Sequence, residues 1–542
     1  MTRLAAPTRA FDFAMRDRRA ILSMMAVYLA FGLAFILTDH TLNDEGLTTV
    51  VWASALRHEP LAVLFFQKAK PVLSLLYLPA AVVGARAVLG MHLAVASLGI
   101  PLLGATARAL RLRVPNLPPL VMALSPIFFL GGAAGLSNVD GVVGTALFLY
   151  LLVAREQRGR AGLVLGALPW VRHELALLVV VILVATVMTH RSRRLMLGAL
   201  VFPALYALAG TAYHRDALWL LHYPPTTLYP MPNNPVWEPV TAGGLLDNLF
   251  SVTPVVALCF CLRPRRLTAI ERTLLAYAVG WLFLATVLPT FRLANFGFSP
   301  RYAVQVLPAV ALLSARAVEP WVSGERAGIV DFLSPALLAL VWVLAGLGQP
   351  LVVGPVLVVY AGVLCAARFR RGTATLGGLV ALSAMGPWLP MRLGIVREEL
   401  GPYLPAMAAW LRSHPERARG AVYTNSPLLA FYLEGSGGIR GVDVRFMMGV
   451  DQYFDVIEMS DPANGQRAAL RRMIALDLYG RGVTPDTLSP GSVPDDATFA
   501  LRRDRRLGFL LPDATWSPHL EPLEEGSQYR ILRFVAAPTV PP

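Results

Sequence analysis

Long apolar runs separated by short arginine-rich segments occupy the first 390 residues of this chain. Crossing the roughly 30 Å hydrocarbon core of a bilayer takes about 20 apolar residues in a helix, and backbone groups inside lipid must hydrogen-bond within their own segment. The pattern therefore predicts membrane-spanning α-helices. The thirteen predicted spans lie near residues 20–38, 88–110, 117–133, 141–154, 161–172, 174–189, 195–213, 246–262, 272–289, 303–319, 329–346, 351–367 and 374–390.

Arginine clusters orient these spans, because positively charged loops stay on the cytoplasmic side of a membrane. Placing every cluster inside, with an odd number of spans, predicts a cytoplasmic N terminus and an extracytoplasmic C terminus. Residues 71–90 form either an external surface helix or an additional span, and the clusters favour the surface helix. The clusters lie at residues 16–19, 108–113, 155–160, 191–194, 263–272 and 368–371.

The apolar runs stop near residue 391, where proline, aspartate, glutamate and arginine become frequent. This change predicts a water-exposed domain over 391–542 after a transmembrane domain over 1–390. The predicted fold is an all-α polytopic transmembrane bundle of about thirteen helices with a C-terminal extracytoplasmic α/β domain. Within that domain, short strands are predicted at 421–424 and 508–511, and helices at 402–413 and 467–479.

Composition supports a membrane protein and argues against a nucleic-acid partner. Hydrophobic residues make up 56% of the chain and charged residues 15%, whereas soluble proteins have roughly 45–50% and 25%. The formal net charge of +14 comes from short clusters between apolar runs, so membrane topology explains it better than a nucleic-acid surface does. The three cysteines lie in apolar stretches and suggest neither a disulfide framework nor a zinc site.

The predicted outer loops carry the candidate chemistry. The long loops are 39–87 and 214–245, the second rich in proline, tyrosine and tryptophan. Loop 39–87 brings Asp44 and Glu45 together directly after the first span. Adjacent residues on a helix point about 100° apart, so one acid can serve as a base while the other positions or binds a substrate. The structural alternative is that these acids cap the N terminus of the next helix.

Lys70 is the second candidate in loop 39–87. Lys68 and Lys70 are the two lysines of a chain whose other basic residues are arginine or histidine. A lysine at the outer membrane surface is suited to a phosphate group, because its ammonium is a compact charge on a flexible stem. The alternative role is to reach toward lipid headgroups.

Charged residues between later spans add further candidates. Asp140 ends a short predicted outer loop, and ionisable residues at such places are candidates for function. Arg172, His173 and Glu174 form a charged turn between two spans, with a structural Arg–Glu ion pair as the alternative.

Arg292, Arg301 and Tyr302 lie at the outer end of the tenth predicted span. Guanidinium groups recognise phosphate through two parallel hydrogen bonds. The two arginines therefore either bind a phosphate or pair with Asp140 or Glu45.

The order of these features resembles that of the GT-C superfamily of membrane glycosyltransferases. Within it, the protein O-mannosyltransferase and lipid A aminoarabinose transferase branch is most similar, over roughly residues 20–310. The residues that carry the resemblance are Asn43-Asp44-Glu45, Lys70-Pro71, Asp140, Arg172-His173-Glu174 and Arg301-Tyr302.

This resemblance implies a glycosyltransferase of the bacterial inner membrane that uses a polyprenyl-phosphate sugar as donor. It implies that Asp44 is the catalytic base with Glu45 beside it, and that Asp140 is the second outer-loop acid. The family's Lys-Pro-Pro-Leu element is matched in part, because Lys70-Pro71 is followed by valine and leucine. Lys70 and the other charged candidates are then expected to bind the substrate and its phosphate.

The expected reaction is an inverting displacement that transfers the sugar to an extracytoplasmic lipid, glycan or protein acceptor. No cofactor is required, although a divalent cation held by Asp44, Glu45 and Asp140 is an open alternative. Two other function classes are also open. One is a transporter or flippase of a lipid-linked sugar, and the other is a non-catalytic scaffold whose outer domain binds a partner.

Overall fold

The structure is a computed structural model of the chain. It describes residues 18–37, 49–50, 52–53, 56–57, 60–65, 70–185, 187–188, 192–222, 258–259, 262–290, 300–322, 403–418, 421–424, 443–446, 491, 493–504, 508–509, 518–526 and 529–535.

The described chain is mostly helical, as the sequence predicts. In chain order the helices are α1 (Arg18–Leu37), α2 (Pro60–Leu64), α3 (Pro71–Ala81), α4 (Ala85–Ala109), α5 (Leu117–Leu124), α6 (Pro126–Ala134), α7 (Ser137–Leu149), α8 (Arg158–Ala167), α9 (Ala176–Ala185), α10 (Arg193–His214), α11 (Trp219–His222), α12 (Ala269–Thr290), α13 (Pro300–Ala303), α14 (Leu307–Val322), α15 (Tyr403–Ser413) and α16 (Pro415–Ala418). Short 3₁₀ turns cover Leu168–Trp170, His173–Leu175, Pro264–Arg266 and Val304–Val306, and a π-helical turn, Tyr150–Ala154, extends α7.

The chain divides into two compact units. The first comprises residues 1–37 and 90–396, and the second comprises residues 38–89 and 397–542. Among the described residues, five helices are long and apolar enough to cross a bilayer, or six if α5 and α6 form one bent span. The five are Arg18–Leu37, Arg86–Ala109, Ser137–Ala154, Arg193–His214 and Arg301–Pro320.

These five helices coincide with predicted spans, whereas the total number of spans and their orientation stay predictions. The predicted spans at 329–346, 351–367 and 374–390, and nearly all of the span at 246–262, lie outside the described residues.

Two local expectations differ from the structure. The predicted span at 117–133 is two helices that bend by 60°, because Pro126 forces Ser125 out of the helical region. The predicted spans at 161–172 and 174–189 correspond to α8 and α9, each of 10 residues, joined by two 3₁₀ turns.

For residues 71–90 the sequence favours an external surface helix, with an additional span as the alternative. Helix α3 has 11 residues, about 16 Å, and is too short to cross a bilayer. The chain then turns at Gly84, whose φ of 134° is open to glycine but strained for other residues, and α4 begins at Ala85. The structure therefore has no continuous helix over this range.

Burial differs sharply between the helices of the first unit. In α14, 89% of the spanning window is buried, whereas the value for α1 is 22%. Helix α14 therefore lies in the core of the first unit, and α1 presents apolar side chains such as Leu22 and Phe31 outward, as expected for contact with lipid. Tyr28 fastens α1 to α6, because its hydroxyl donates to the carbonyl of Phe128 at 3.1 Å.

Helices α8 and α10 cross at very short range. A Cβ atom on Gly162 would clash with the carbonyl oxygen of Leu195, and one on Gly166 would clash with that of Ala199. Small residues four positions apart allow helix backbones in membranes to approach in this way. The tight crossing holds the turn that follows α8, which carries part of the candidate site described below.

The second unit contains a six-stranded mixed sheet in the order β2-β1-β3-β6-β5, with β4 paired to β3. β1 is parallel to β2 and β3, whereas the pairs β3–β6 and β5–β6 are antiparallel. Tyr423, Phe499, Leu501 and Phe534 form the core of this sheet. The strands are β1 (Ala421–Thr424), β2 (Asp443–Phe446), β3 (Thr498–Asp504), β4 (Gly508–Phe509), β5 (Leu520–Glu525) and β6 (Tyr529–Phe534).

Several predicted elements of this region coincide with observed ones. The predicted strand at 421–424 is β1, the predicted strand at 508–511 begins with β4, and the predicted helix at 402–413 corresponds to α15. The predicted helix at 467–479 and the domain boundary near residue 391 lie outside the described residues. The extracytoplasmic side of this region stays a prediction.

Candidate functional site

Buried polar side chains gather at one end of the first unit, where α4 and α7 begin, α6 ends and α14 begins. We call this the site end. The opposite ends of α4, α7 and α14 carry arginines: Arg108 lies in the last turn of α4, Arg155 follows the turn that extends α7, and Arg316 lies in the second half of α14. We call these the arginine-rich end.

Asp140 lies in the first turn of α7 and is 5% exposed. The sequence predicts it at the end of a loop, but helix α7 begins earlier, at Ser137. Its Oδ2 atom is 3.1 Å from Nε2 of His92, which is fully buried in α4. The second ring nitrogen of His92, Nδ1, is 2.7 Å from the carbonyl oxygen of Gly132 at the end of α6.

These two contacts define how many protons the His92–Asp140 pair holds. A carbonyl oxygen accepts hydrogen bonds but never donates them, so Nδ1 of His92 carries a proton. The contact between Nε2 and the carboxyl group needs a second proton, which lies on one partner or the other. The pair is therefore neutral overall, either as an ion pair or as two uncharged groups.

The turn between α8 and α9 carries a second buried pair. Nε and Nη2 of Arg172 donate to the two carboxylate oxygens of Glu174 at 3.1 and 2.6 Å. Both side chains are about 95% buried. The third nitrogen, Nη1, donates to the hydroxyl of Ser137 at 2.9 Å and so fastens the turn to the start of α7. The structural alternative for this turn, an Arg–Glu pair, is thus present together with a link to the site end.

Tyr302 lies between two guanidinium groups. The Cζ atoms of Arg172 and Arg301 are 5.4 and 5.3 Å from the centroid of its ring, within cation–π range. Tyr302 is 9% exposed, so the ring is largely shielded from solvent. The turn that carries Arg172 and the helix α13 that carries Arg301 therefore meet at one aromatic ring. His173 follows Arg172 in the 3₁₀ turn of the same segment.

Of the other predicted site residues, three lie outside the described part of the chain and one, Lys70, lies in the second unit. Asp44, Glu45 and Arg292 lie outside the described residues. Lys70 belongs to the second unit, where it precedes α3 with a left-handed backbone of φ 51° and ψ 69°. That conformation is unfavourable for a residue before proline and costs of the order of 1–3 kcal/mol. Its carbonyl oxygen accepts from the backbone N–H groups of Leu73 and Ser74.

Four polar residues at the site end are absent from the set predicted by sequence: His92, Ser137, Asn138 and Gln305. A lone histidine in an apolar span is a signal that could have identified His92, because ionisable residues inside membranes are functional candidates. Asn138 and Gln305 carry no charge, and their burial becomes evident only in the folded chain.

The described residues contain no group of three or more histidine, cysteine, aspartate or glutamate side chains arranged to hold a metal ion. Two of the three acids suggested for a cation, Asp44 and Glu45, lie outside those residues. A divalent cation therefore stays an open question for the experiments below.

Comparison with solved structures reveals a similar fold. Two structures of ArnT from Cupriavidus metallidurans, one bound to undecaprenyl phosphate and one in the apo state, match with TM-scores of 0.54 and 0.51. Sequence identity is 13% and 14%, over 96% of this chain and 99% of theirs. The chain has the fold of these structures. The match confirms the predicted resemblance at the level of the fold.

No protein-family model and no curated protein matches the sequence. The similarity to known proteins is therefore found by comparing folds and not by comparing sequences.

Proposed function

We propose that this chain is a membrane glycosyltransferase that moves a sugar from a polyprenyl-phosphate donor to an extracytoplasmic acceptor. The observation that carries the proposal is the fold it shares, over 96% of its length, with an ArnT structure that holds undecaprenyl phosphate. The buried ionisable groups at the site end support it independently, since such groups are expensive in a membrane bundle and usually have a function.

The distribution of charge supports the orientation in which the site end faces outward. Arg108 and Arg155 lie at the ends of α4 and α7 that are opposite to the site end, and basic residues favour the cytoplasmic side. This orientation gives a cytoplasmic N terminus, an extracytoplasmic C-terminal domain and a site at the outer surface of the bacterial inner membrane. A lipid-linked donor then enters laterally from the bilayer, and the acceptor arrives from water.

In the proposed reaction, Asp44 takes the proton of an acceptor hydroxyl or amine. The acceptor atom forms a bond to the anomeric carbon while the bond from that carbon to the phosphate oxygen breaks, with inversion. Polyprenyl phosphate leaves with the bonding electron pair. Because this phosphate is a good leaving group when its charge is balanced, fixed cations at Lys70, Arg292 and Arg301 serve better than a proton donor.

Asp140 has a different role from Asp44 in this proposal. Its pairing with His92 leaves no net negative charge at that position, so it is poorly suited to act as the base. It instead positions the donor together with the turn of Arg172, His173 and Glu174. The strained backbone of Lys70 supports a functional role for that residue, because backbone strain persists mainly where function requires it.

The decisive experiment incubates the purified full-length protein with a panel of undecaprenyl-phosphate pentoses and hexoses and measures released undecaprenyl phosphate. An enzyme releases it by transfer or hydrolysis, whereas a transporter or flippase moves the intact donor and releases none. Excess chelator in parallel reactions tests the divalent cation. No release with any donor, under conditions where the protein is folded, would overturn the proposal.

Asp44→Asn tests the assigned base. Loss of an acid–base group lowers rates by roughly 10²–10⁴-fold, so transfer should fall by that factor while donor binding persists. Asp39→Asn is the matched control, because Asp39 is an acid of the same loop without an assigned role. Lys70→Ala should instead weaken donor use.

A further inference from the structure

Two buried amide side chains at the site end stand apart from the ion pairs around them. Gln305 lies in the 3₁₀ turn that leads into α14 and is 0% exposed, and Asn138 lies in the first turn of α7 and is 1% exposed. Within the described part of the chain, neither the oxygen nor the nitrogen of either side-chain amide has a hydrogen-bond partner.

The two amides occupy adjacent positions. Asn138 and Gly141 are three residues apart in α7 and therefore lie on the same face of that helix. A Cβ atom at position 141 would be 2.6 Å from Oε1 and 3.2 Å from Nε2 of Gln305. Glycine at position 141 thus makes the room that the glutamine amide occupies, one helical turn from Asn138.

Buried amides without partners are unfavourable, because the desolvated donor and acceptor gain nothing in return. Thr145, further along the same helix, shows the usual arrangement: its buried hydroxyl donates to the carbonyl of Gly141 at 2.9 Å. Asn138 therefore differs from a buried polar residue of its own helix, Gln305 shares its arrangement, and both call for a ligand that supplies donors and acceptors.

The charges of the surrounding groups narrow the class of that ligand. Arg172 and Glu174 neutralise each other, and His92 and Asp140 form a neutral pair. The cation of Arg301, close to Tyr302, is assigned to the phosphate in the proposed function. Each amide offers two N–H donors and one carbonyl acceptor without charge. Hydroxyl groups, which also donate and accept, match this set.

We infer that Asn138 and Gln305 form the subsite that binds the hydroxyl groups of the donor sugar and so select the sugar. This inference rests on the proposed function, since it assumes a lipid-phosphate sugar as donor. Gly141 belongs to the subsite as the position that leaves space for Gln305.

The segment that carries Gln305 is built from two short elements. Helix α13 has four residues and the 3₁₀ turn Val304–Val306 has three, and α14 begins directly after them. Gln305 therefore lies in a short turn and not within a long helix.

The first test measures the thermal stability of the ligand-free protein. Gln305→Met and Asn138→Leu replace each amide by an apolar group of similar shape. Because the amides have no partners in the described part of the chain, each variant should melt at a higher temperature than the wild type, by roughly 2 °C. Thr145→Val is the matched control: it removes a buried polar group that is paired and should lower the melting temperature.

The second test compares the binding of undecaprenyl-phosphate sugars with that of undecaprenyl phosphate itself. Each amide variant should bind the sugar-bearing lipids about tenfold more weakly, as expected for the loss of one or two hydrogen bonds, and should bind undecaprenyl phosphate unchanged. In the double variant, the preference for sugar-bearing lipid over undecaprenyl phosphate should disappear.

Two outcomes would overturn the inference. The first is a lower melting temperature in the amide variants, as in Thr145→Val, which would mean that the amides hold the fold together. The second is equal or unchanged binding of both kinds of lipid. If the wild-type protein releases undecaprenyl phosphate from none of the donors, the proposed function is wrong. The melting test needs no ligand, so it still shows whether the two amides stabilise the fold or are kept for a ligand.

Discussion

The two ends of the first unit both bury polar groups, but they treat them differently. At the arginine-rich end, Arg316 donates to Glu271 at 2.7 Å, to Glu319 at 2.6 Å and to the carbonyl oxygen of Leu110 at 3.2 Å. The second oxygen of Glu319 accepts from the backbone N–H of Arg113 at 2.8 Å. Every side-chain nitrogen and oxygen of this triad of Arg316, Glu271 and Glu319 has a partner.

Sequence explains one part of that triad directly. Thr268 and Glu271 are three residues apart at the start of α12, and they form a capping box. Glu271 accepts from the backbone N–H and the hydroxyl of Thr268 at 2.7 and 2.8 Å. The triad joins α12, α14 and the segment after α4 and so holds these three segments together. We call it the clasp.

The site end instead combines two paired groups with amides that lack partners among the described residues. A buried polar network stabilises one packing when it is fully paired, whereas a partly paired one is unfavourable for stability alone. Burial of polar residues by itself therefore does not indicate function. The informative feature is a buried amide whose donor and acceptor both lack partners among the described residues, because a single such atom, Nη1 of Arg108, also occurs at the arginine-rich end.

The largest expected effect is on stability at the arginine-rich end. Arg316→Leu leaves Glu271, which is 0% exposed, without its cation, and removal of one partner from a buried pair costs about 3–5 kcal/mol. Thermal unfolding of the purified protein measures this loss. Arg530→Leu is the control, since its pair with Glu525 is exposed and such pairs contribute about 0–1 kcal/mol. Equal losses in the two variants would contradict the clasp.

The next prediction separates structure from function at the His92–Asp140 pair. His92→Leu leaves the buried carboxyl of Asp140 without the imidazole and should destabilise the protein by roughly 3 kcal/mol. The double variant His92→Leu/Asp140→Leu replaces both partners by apolar groups and should recover most of that stability. Transfer activity should stay low in the double variant if Asp140 positions the donor. Recovery of both stability and activity would make the pair purely structural.

Arg172→Lys tests the fork between Arg172 and Glu174. Lysine keeps the charge but cannot donate two parallel hydrogen bonds, so the variant should lose about 1.5–3 kcal/mol of stability and part of the transfer rate. Tyr302→Phe keeps the ring below the guanidinium and serves as the control. A lysine variant with wild-type stability and rate would show that the geometry of this pair is unimportant.

The sequence predicts well what depends on length and charge. The spans near 20–38, 88–110 and 195–213 coincide with described helices, because a run of apolar residues long enough for a bilayer has few alternatives. Asp140 and the turn at 172–174 can be recognised from sequence as candidate site residues, because charged groups in apolar surroundings are unfavourable unless they have a structural or functional role.

What the sequence could not reveal depends on contacts between distant segments. His92 and Asp140 are 48 residues apart, and Arg172 and Ser137 are 35 residues apart. Gln305 resembles any polar residue near the end of a span until its burial is known. The roles of Asp44, Glu45 and Arg292 still rest on the resemblance and on the experiments proposed above.

The smallest expected effect is on the stability of the protein at acidic pH. It concerns an exposed polar pair, Asp216 and His222, in the segment that follows α10, and so extends the comparison to a pair in contact with water. Asp216 accepts hydrogen bonds from His222 at 2.6 Å and from the backbone N–H of Leu218 at 2.8 Å. These contacts, first that of His222, lower the pKa of Asp216 below its usual value of 3.8. Because the folded pKa is the lower one, the pair stabilises the protein above about pH 4, and this contribution is lost as the pH falls through the folded pKa.

His222→Gln should therefore lower the melting temperature slightly at pH 5 and above and leave it nearly unchanged near pH 3, where the contribution of the pair is already lost, so that the decrease between pH 5 and pH 3 becomes smaller. Melting curves of the two proteins across that range measure the effect, with Arg316→Leu as the contrast, because its loss at neutral pH should be much larger. An unchanged acid profile in His222→Gln would mean that the solvent-exposed pair contributes nothing. The comparison would then be sharper still, with stabilising polar contacts confined to buried pairs.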